Sequence, residues 1–454
     1  MGTEAALQDL RASLRGGLLT PADAAYDEAR RIHNGMFERR PAAIARCLGT
    51  ADVVDAVRFA RAHDLELAVR GGGHSVAGNS VCDGGLMLDL SLMKGVHVDA
   101  GRRTVRAQAG VTWGEFNRET QLHGLATTGG VVSTTGIAGL TLGGGLGWLM
   151  GKYGLAADNL IGAEVVTAAG EVVPAGAEDN SDLFWGLRGG GGNFGVVSSF
   201  EYRLHPVGPV TSGLVAHPVE RARAVLRFFR EVTASVPDEL TVNGGLLHAP
   251  DGSGVRLAAI IACHCGSLAD GEAGTRPIKS FGSPVADSIG PASYVDTNTA
   301  IFDAGFPRGA RNYWKSSFLR ELSDPVIEAL IARFAVCPSP MSGLVLEHFH
   351  GAATRVAVGA TAFPQRRESY NLLIVSQWLD PKDDEKNIAW ARATYDALRP
   401  HMARESYANY QTDDQTQDAL EHAYGSNYAR LVALKNRFDP TNLFHLNNNV
   451  RPTA

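Results

Sequence analysis

The chain has 454 residues, 44% of them apolar and 20% charged, enough for two ordinary domains with a sizeable core. A formal net charge of −6 and the lack of any basic block exclude nucleic acid as an expected partner. No apolar run approaches the roughly 20 residues needed to cross a bilayer, so no membrane partner is expected either.

The N-terminus, MGTEAALQDLRASLRGG, has early acids and no apolar core, so it does not read as a secretory signal. Its apolar positions, Ala5, Leu7, Leu10 and Leu14, predict a helix that Gly16-Gly17 ends. Residues 42–45 read as a short strand, and Thr50 as the N-cap of a helix through Ala62. Leu65 to Val69 then predicts a buried strand, which gives a β-α-β start. Further short strands are predicted at 86–90, 96–98 and 104–107, and a helix at 111–121. Residues 160–168 and 171–173 flank a hairpin turn at Ala169-Gly170, and Asn180-Ser181-Asp182 caps a helix at 183–187.

Texture changes near His205-Pro206. Helices are predicted at 218–233, 324–335 (with Asp324-Pro325 as N-cap and N1) and 386–398, alternating with strands at 241–247, 255–263, 344–350 and 372–378. Such grouping predicts one antiparallel sheet with helices on one face. A last helix at 423–438 leads into Asn447-Asn448-Asn449. The five cysteines, Cys47, Cys82, Cys263, Cys265 and Cys337, are odd in number and scattered, which suits a reducing cytoplasm. Cys263-His264-Cys265 has no second ligand pair near it and reads as the end of a strand, so no metal is expected.

Three glycine clusters stand out: Arg70-Gly71-Gly72-Gly73-His74-Ser75, Gly136 to Trp148, and Gly189 to Val197. A strand that runs into consecutive glycines makes a turn whose backbone can approach something closely. Successive N–H groups in such turns form a concave anion site suited to a pyrophosphate. No helix-forming segment follows the first cluster, so it is neither a P-loop nor a dinucleotide fingerprint. Taken alone, that cluster could also be a simple turn with an incidental histidine. Three clusters in one half of the chain suggest one large, phosphate-bearing ligand lying across several turns.

The segments VRGGGHSVAG at 69–78, GGVVSTTGIAGLTLGGGLGWL at 129–149, KYGLAADNL at 152–160, DLFWGLRGGGGNFGVV at 182–197 and FDPTNLFHLNNNV at 438–450 give the chain its family likeness. In this order they resemble the vanillyl-alcohol-oxidase superfamily of flavoproteins, with a PCMH-type FAD-binding domain, and more narrowly its berberine-bridge-enzyme-like branch. The resemblance implies an α+β fold in two parts. Residues 1–205 and 410–454 would bind FAD, and 206–409 would form an inserted substrate-binding domain on an antiparallel sheet flanked by helices.

It also implies residue roles. His74 would be joined covalently to the flavin's 8α-methyl, and Arg70 to Ser75 would hold the pyrophosphate. Val131, Ser133, Thr134 and Thr135 would run beneath the flavin ring. Gly139, Gly195 and Val196 would line the adenosine and phosphate side, and Gly136 and Gly143 would also contact the cofactor. Asn447 and Asn449 would bond the flavin's pyrimidine edge, since amides offer both donor and acceptor. Relatives with two flavin links carry a cysteine where Val132 stands, so a single link is implied.

Flavin enzymes take hydride from a C–H beside oxygen or nitrogen, and the protein supplies position and a base. Three candidates emerge. Tyr410, in YANY, resembles the family's catalytic tyrosine and would need a nearby cation to lower its pKa. Lys315, in NYWKSSFL, is open to two readings, an active-site cation or a snorkelling surface residue. Glu347 lies on a strand with His348 and His350 on the opposite face, and each of these residues also reads as a structural one. No acid stands in Ala360-Thr361-Ala362-Phe363-Pro364, where some relatives carry a carboxylate.

The expected activity is that of an oxidase of a small alcohol, sugar, phenol or amine, with O2 as acceptor and hydrogen peroxide as product. A dehydrogenase serving a quinone or carrier protein, and a flavin-carrying binding protein without turnover, are the alternatives. Monomer and homodimer stay open.

Overall fold

The computed structural model describes residues 4–412, 414 and 417–453. The architecture is α+β. Its strands form a four-stranded, a five-stranded and an eight-stranded sheet, with one further two-stranded pairing.

The β-α-β start forms as the sequence predicts. Strands Ala43–Arg46 and Leu67–Arg70 both pair in parallel with Leu86–Asp89, which lies between them. Parallel strands need a crossover, and helix Thr50–Ala62 supplies it, burying Val53, Ala56, Val57 and Ala60. Thr50 is not the cap. Gly49 holds that position, and the Thr50 hydroxyl donates to Glu164 Oε1 at 2.7 Å. Asp52 accepts the Leu48 and Arg15 N–H groups at 2.7 and 2.9 Å.

The five-stranded sheet is antiparallel, and its strand Val196–Arg203 runs directly out of the third glycine cluster. The first two clusters pack backbone against backbone. A Cβ on Gly72 would stand 2.3 Å from the Gly136 nitrogen, and one on Gly136 2.4 Å from the Gly72 nitrogen. Glycine at both positions is the condition for that approach.

The eight-stranded sheet is antiparallel throughout, with the central order Val210–Pro218, Arg256–His264, Leu240–His248, Gly343–Phe349, Ser369–Trp378, Arg311–Leu319. Helices Ala222–Thr233, Asp324–Ala335 and Asp384–Leu398 pack on one face, burying Phe229, Leu330, Phe334 and Trp390 against Leu344, Leu346 and Ile374. The opposite face presents Val345, Leu373 and Val375, with Trp314 and Tyr410 packed on them. Strand alternation decides which side chains reach that second face.

Some boundaries differ from the sequence expectation. Pro218 is still strand, paired with Leu257, so the helix after it begins at Ala222. The expected C-terminal helix is two, Gln417–Tyr424 and Tyr428–Phe438, separated at Gly425 with φ 52°. Strands Val210–Pro218 and Arg311–Leu319 were not predicted, since polar residues interrupt their apolar runs. Among the described residues no helix is long and apolar enough to cross a membrane.

Candidate active site

A cavity of about 310 Å³ lies where the three glycine clusters meet the face of the large sheet that carries Val345 and Leu373. Gly71, Gly72, Gly73, His74 and Ser75 line it from the first cluster. Val131, Thr135, Gly136 and Gly139 line it from the second, and Gly195 and Val196 from the third. The sheet contributes Trp314, Val345, Glu347 and Leu373, with Tyr410, Phe302 and Phe306 beside them.

His74 stands at the tip of the first turn, with both ring nitrogens near hydroxyls. Nε2 lies 2.9 Å from Thr134 Oγ1 and Nδ1 3.4 Å from Thr135 Oγ1. The ring stacks on His33 at 3.9 Å between centroids. Burial, then the neighbouring His33 and Arg308, hold the His74 pKa well below the ordinary imidazole value. Burial and Arg308 bring His33 down to about 4. Both rings are therefore neutral at physiological pH.

Among the described residues Glu347 is the one carboxylate in the lining, and it is 6% exposed. Burial pushes its pKa up to about 7, against the opposing effect of two hydrogen bonds. Asn371 Nδ2 donates to Oε2 at 2.6 Å and the Tyr410 hydroxyl to Oε1 at 3.2 Å. Asn371 is held in turn by the Ser316 hydroxyl at 2.9 Å. A carboxyl group poised near neutrality, in a cavity and on a rigid strand, can take up a proton during turnover.

Aromatic rings flank this acid. Phe306 meets Trp314 edge-on at 5.5 Å, and Trp314 meets Tyr410 edge-on at 5.8 Å. Among the described residues no lysine or arginine lines the cavity.

The family patterns described as FAD binding domain and as berberine and berberine-like match residues 41–176 and 406–451. An FAD-linked oxidoreductase of Dictyostelium discoideum is 34% identical over 407 residues, covering 88% of this chain and 86% of the relative. The (R)-6-hydroxynicotine oxidase of Paenarthrobacter nicotinovorans is 31% identical over 458 residues, covering 97% of each. The chain belongs to the berberine-like FAD-linked oxidoreductases. Solved structures agree on the fold. A crystal structure of 6-hydroxy-D-nicotine oxidase from Arthrobacter nicotinovorans superposes with a TM-score of 0.88 at 29% identity, covering 96% of this chain and 98% of that one. A chitooligosaccharide oxidase superposes with a TM-score of 0.86 at 25% identity, covering 99% of this chain and all of that one.

The cavity of this FAD-dependent oxidoreductase suits its cofactor. Gly139 and Gly192 line it with nothing within 4 Å of where a Cβ would stand, which leaves bare backbone facing inward. Asn447 also lines it, and its Oδ1 is buried without a protein partner. With no cation in the lining, the phosphates would rely on backbone N–H groups.

Several expected site residues of the oxidoreductase lie elsewhere. Arg70 does not face the cavity; its guanidinium forms a buried pair with Asp89 and bonds the Ala29 and Arg31 carbonyls. Gly143 is a packing glycine, since a Cβ there would collide with Asn409 Oδ1 at 2.1 Å. Asn448, not Asn449, joins Asn447 in the lining. Ser133 points its hydroxyl at Asp303, and Thr134 reaches His74 without lining the cavity.

Lys315 is on the helix side of its strand, bonded to Asp414 Oδ1 at 2.6 Å, while its neighbour Trp314 enters the cavity. Tyr410 does line the cavity, but as a hydrogen-bond donor. No cation lowers its pKa. Burial, Glu347 and Tyr407 raise it well above the ordinary phenol value, so it is protonated and unsuited to act as base. His33, Phe302, Phe306, Trp314 and Asn448 are lining residues that the sequence did not reveal. Strand alternation could have found Trp314; no local pattern marks the others.

Proposed function

We propose that this oxidoreductase is an oxidase of a small aromatic alcohol or amine, with Glu347 as base, FAD joined to His74, and O2 as the acceptor that yields hydrogen peroxide. In this reading residues 1–205 and 410–454 hold the cofactor, and the insertion at 206–409 supplies the substrate wall. The observation that carries it is Glu347, a carboxylate with a pKa near 7 facing a cavity walled by Phe302, Phe306, Trp314 and Tyr410. Among the described residues that wall offers few partners for the many hydroxyls of a sugar, and no cation for an acid.

Bound FAD supplies the hydride acceptor. The aromatic wall binds the substrate by apolar contact and excludes water around Glu347. Ionised Glu347 then accepts the substrate's O–H or N–H proton as hydride leaves the adjacent C–H, giving a carbonyl or an imine. The Tyr410 hydroxyl and Asn371 amide keep the carboxylate oriented throughout. The names of relatives that oxidise a hydroxynicotine and a chitooligosaccharide support the reaction type and leave the substrate open. A peroxide assay over a panel of benzylic alcohols, cyclic arylamines and oligosaccharides tests the reading. Turnover confined to the oligosaccharides would overturn the aromatic assignment.

Oxygen use should depend on Thr135, which lines the cavity beside His74. By the family resemblance it stands before the flavin's reactive carbon, where a small branched side chain leaves room for O2. Thr135→Leu should fill that space and slow reoxidation by oxygen roughly tenfold or more, leaving flavin reduction by substrate nearly unchanged. Stopped-flow mixing of anaerobically reduced protein with oxygenated buffer measures it. Equal reoxidation rates in the two proteins would remove Thr135 from this role.

A further inference from the structure

Residues 294–310 build part of the cavity wall, with helix Tyr294–Ala300 followed by the 3-10 turn Asp303–Gly305. Phe302 and Phe306 bracket that turn and line the cavity. Phe302 stacks on Trp148 with the rings 6° from parallel. The tip of the turn is poorly packed: Ala304 and Gly305 are exposed, and nothing lies within 4 Å of a Cβ placed on Gly305. Burial therefore does not hold it.

One carboxylate does. Asp303 reaches a residue 170 positions away, accepting the Ser133 backbone N–H on Oδ1 at 2.8 Å and the Ser133 hydroxyl on Oδ2. Two donors on one carboxylate make a directional clasp of charge-assisted bonds. Ser133 is the centre of loop 131–135. That loop lines the cavity with Val131 and Thr135 and places the Thr134 and Thr135 hydroxyls against the two nitrogens of His74. The next polar ties along the segment come at Arg308, which donates to the Arg31 carbonyl at 3.1 Å and pairs with Glu28 at 3.2 Å, and at Gly309, whose N–H donates to the His33 carbonyl at 2.9 Å. His33 is itself the ring stacked on His74.

We propose that Asp303 is a positioning residue that fastens the aromatic wall to the loop beneath the flavin and so sets the width of access to the cavity. The inference rests on the flavin lying against residues 131–135. Loss of the clasp leaves Phe302 and Phe306 held by their ring packing on Trp148 and Trp314, freer to move from the flavin, and removes one brace of loop 131–135, beside the Gly114 N–H on the Ser133 carbonyl at 2.8 Å.

Sulfite tests this without the natural substrate, because it adds reversibly to oxidised flavin and bleaches the visible band at a rate that reports access. In full-length flavin-loaded protein, Asp303→Ala should bleach at least fivefold faster than wild type. Asp303→Asn and Ser133→Ala each keep part of the clasp and should fall between the two. This graded order follows the number of clasp bonds, which a general loss of stability would not reproduce. Bleaching of Asp303→Ala at the wild-type rate overturns the proposal. If that variant does not fold, a wild-type rate in Ser133→Ala overturns it equally. Failure of the underlying flavin placement shows separately, as a Thr135→Leu protein whose reoxidation is unchanged.

Discussion

Replacing Glu347 by glutamine is expected to slow flavin reduction by substrate about a hundredfold or more, the usual contribution of a positioned base. The substitution keeps the shape of the side chain and removes only its ability to take a proton. Flavin content should not change, because Glu347 belongs to the sheet wall and not to the glycine loops. The wild-type rate of flavin reduction should fall as pH drops through about 7, since the base must be ionised and burial holds its pKa there.

The stability consequence has the opposite sign. Glu347 has a folded pKa of about 7 against an ordinary 4.5. Between those values the unfolded chain gives up its proton first, so rising pH favours unfolding until both states are ionised. Glu347→Gln should therefore unfold no earlier than wild type at pH 8, while losing activity. Such opposition of stability and activity is expected where a charge is buried for function.

Tyr410→Phe separates the two residues of the pair. It removes one of the hydrogen bonds that lower the Glu347 pKa, so the pH limb should move upward with only a modest loss of maximal rate. A Tyr410→Phe protein as inactive as Glu347→Gln, or a Glu347→Gln protein reduced at the wild-type rate, would move the base elsewhere. Rapid-mixing absorbance at the flavin band measures all of these.

The sequence does not separate Glu347 from Tyr410 and Lys315, because local pattern carries no record of what buries each of them. The glycine clusters announced themselves because close backbone approach leaves a compositional trace, and the Gly72–Gly136 contact is its structural form. The parallel β-α-β start was legible for the same kind of local reason: apolar runs, a crossover helix and a turn. The buried acid Glu347 has no such trace. Its pKa comes from burial beneath residues at positions 314 and 371 of an eight-stranded sheet, four of whose strands were not predicted, and at position 410 in a 3-10 turn beside it. Lys315 shows the limit most plainly. Its sequence neighbours are aromatic, yet alternation sends Trp314 into the cavity and Lys315 to the helices. Arg70 likewise sits beside the phosphate-type turn in sequence but faces Asp89 across the parallel sheet.

Acid-denatured wild-type protein is expected to stay yellow, and the peptide that contains His74 to carry the mass of FAD. His74→Ala should lose the linkage entirely, so that acid releases all of its flavin. Bond formation to carbon needs a free lone pair on the imidazole, and protonation removes it. Burial together with the neighbours His33 and Arg308 keeps His74 unprotonated well below its ordinary range, so the ring is competent even in mildly acidic medium. Its orientation is fixed from two sides, by the Thr134 and Thr135 hydroxyls at its nitrogens and by the His33 ring stacked at 3.9 Å. Those contacts leave the ring at the tip of a turn opening into the cavity, where little rearrangement is needed to reach a bound flavin. The loop across from it, residues 129–149, has no cysteine to offer a second attachment, so one linkage per chain is expected. His74→Ala should still fold, since the turn itself depends on the glycine pair and not on the imidazole. Free FAD recovered in full from the denatured wild-type protein would sink the assignment, as would a flavin-bearing peptide from any other part of the chain.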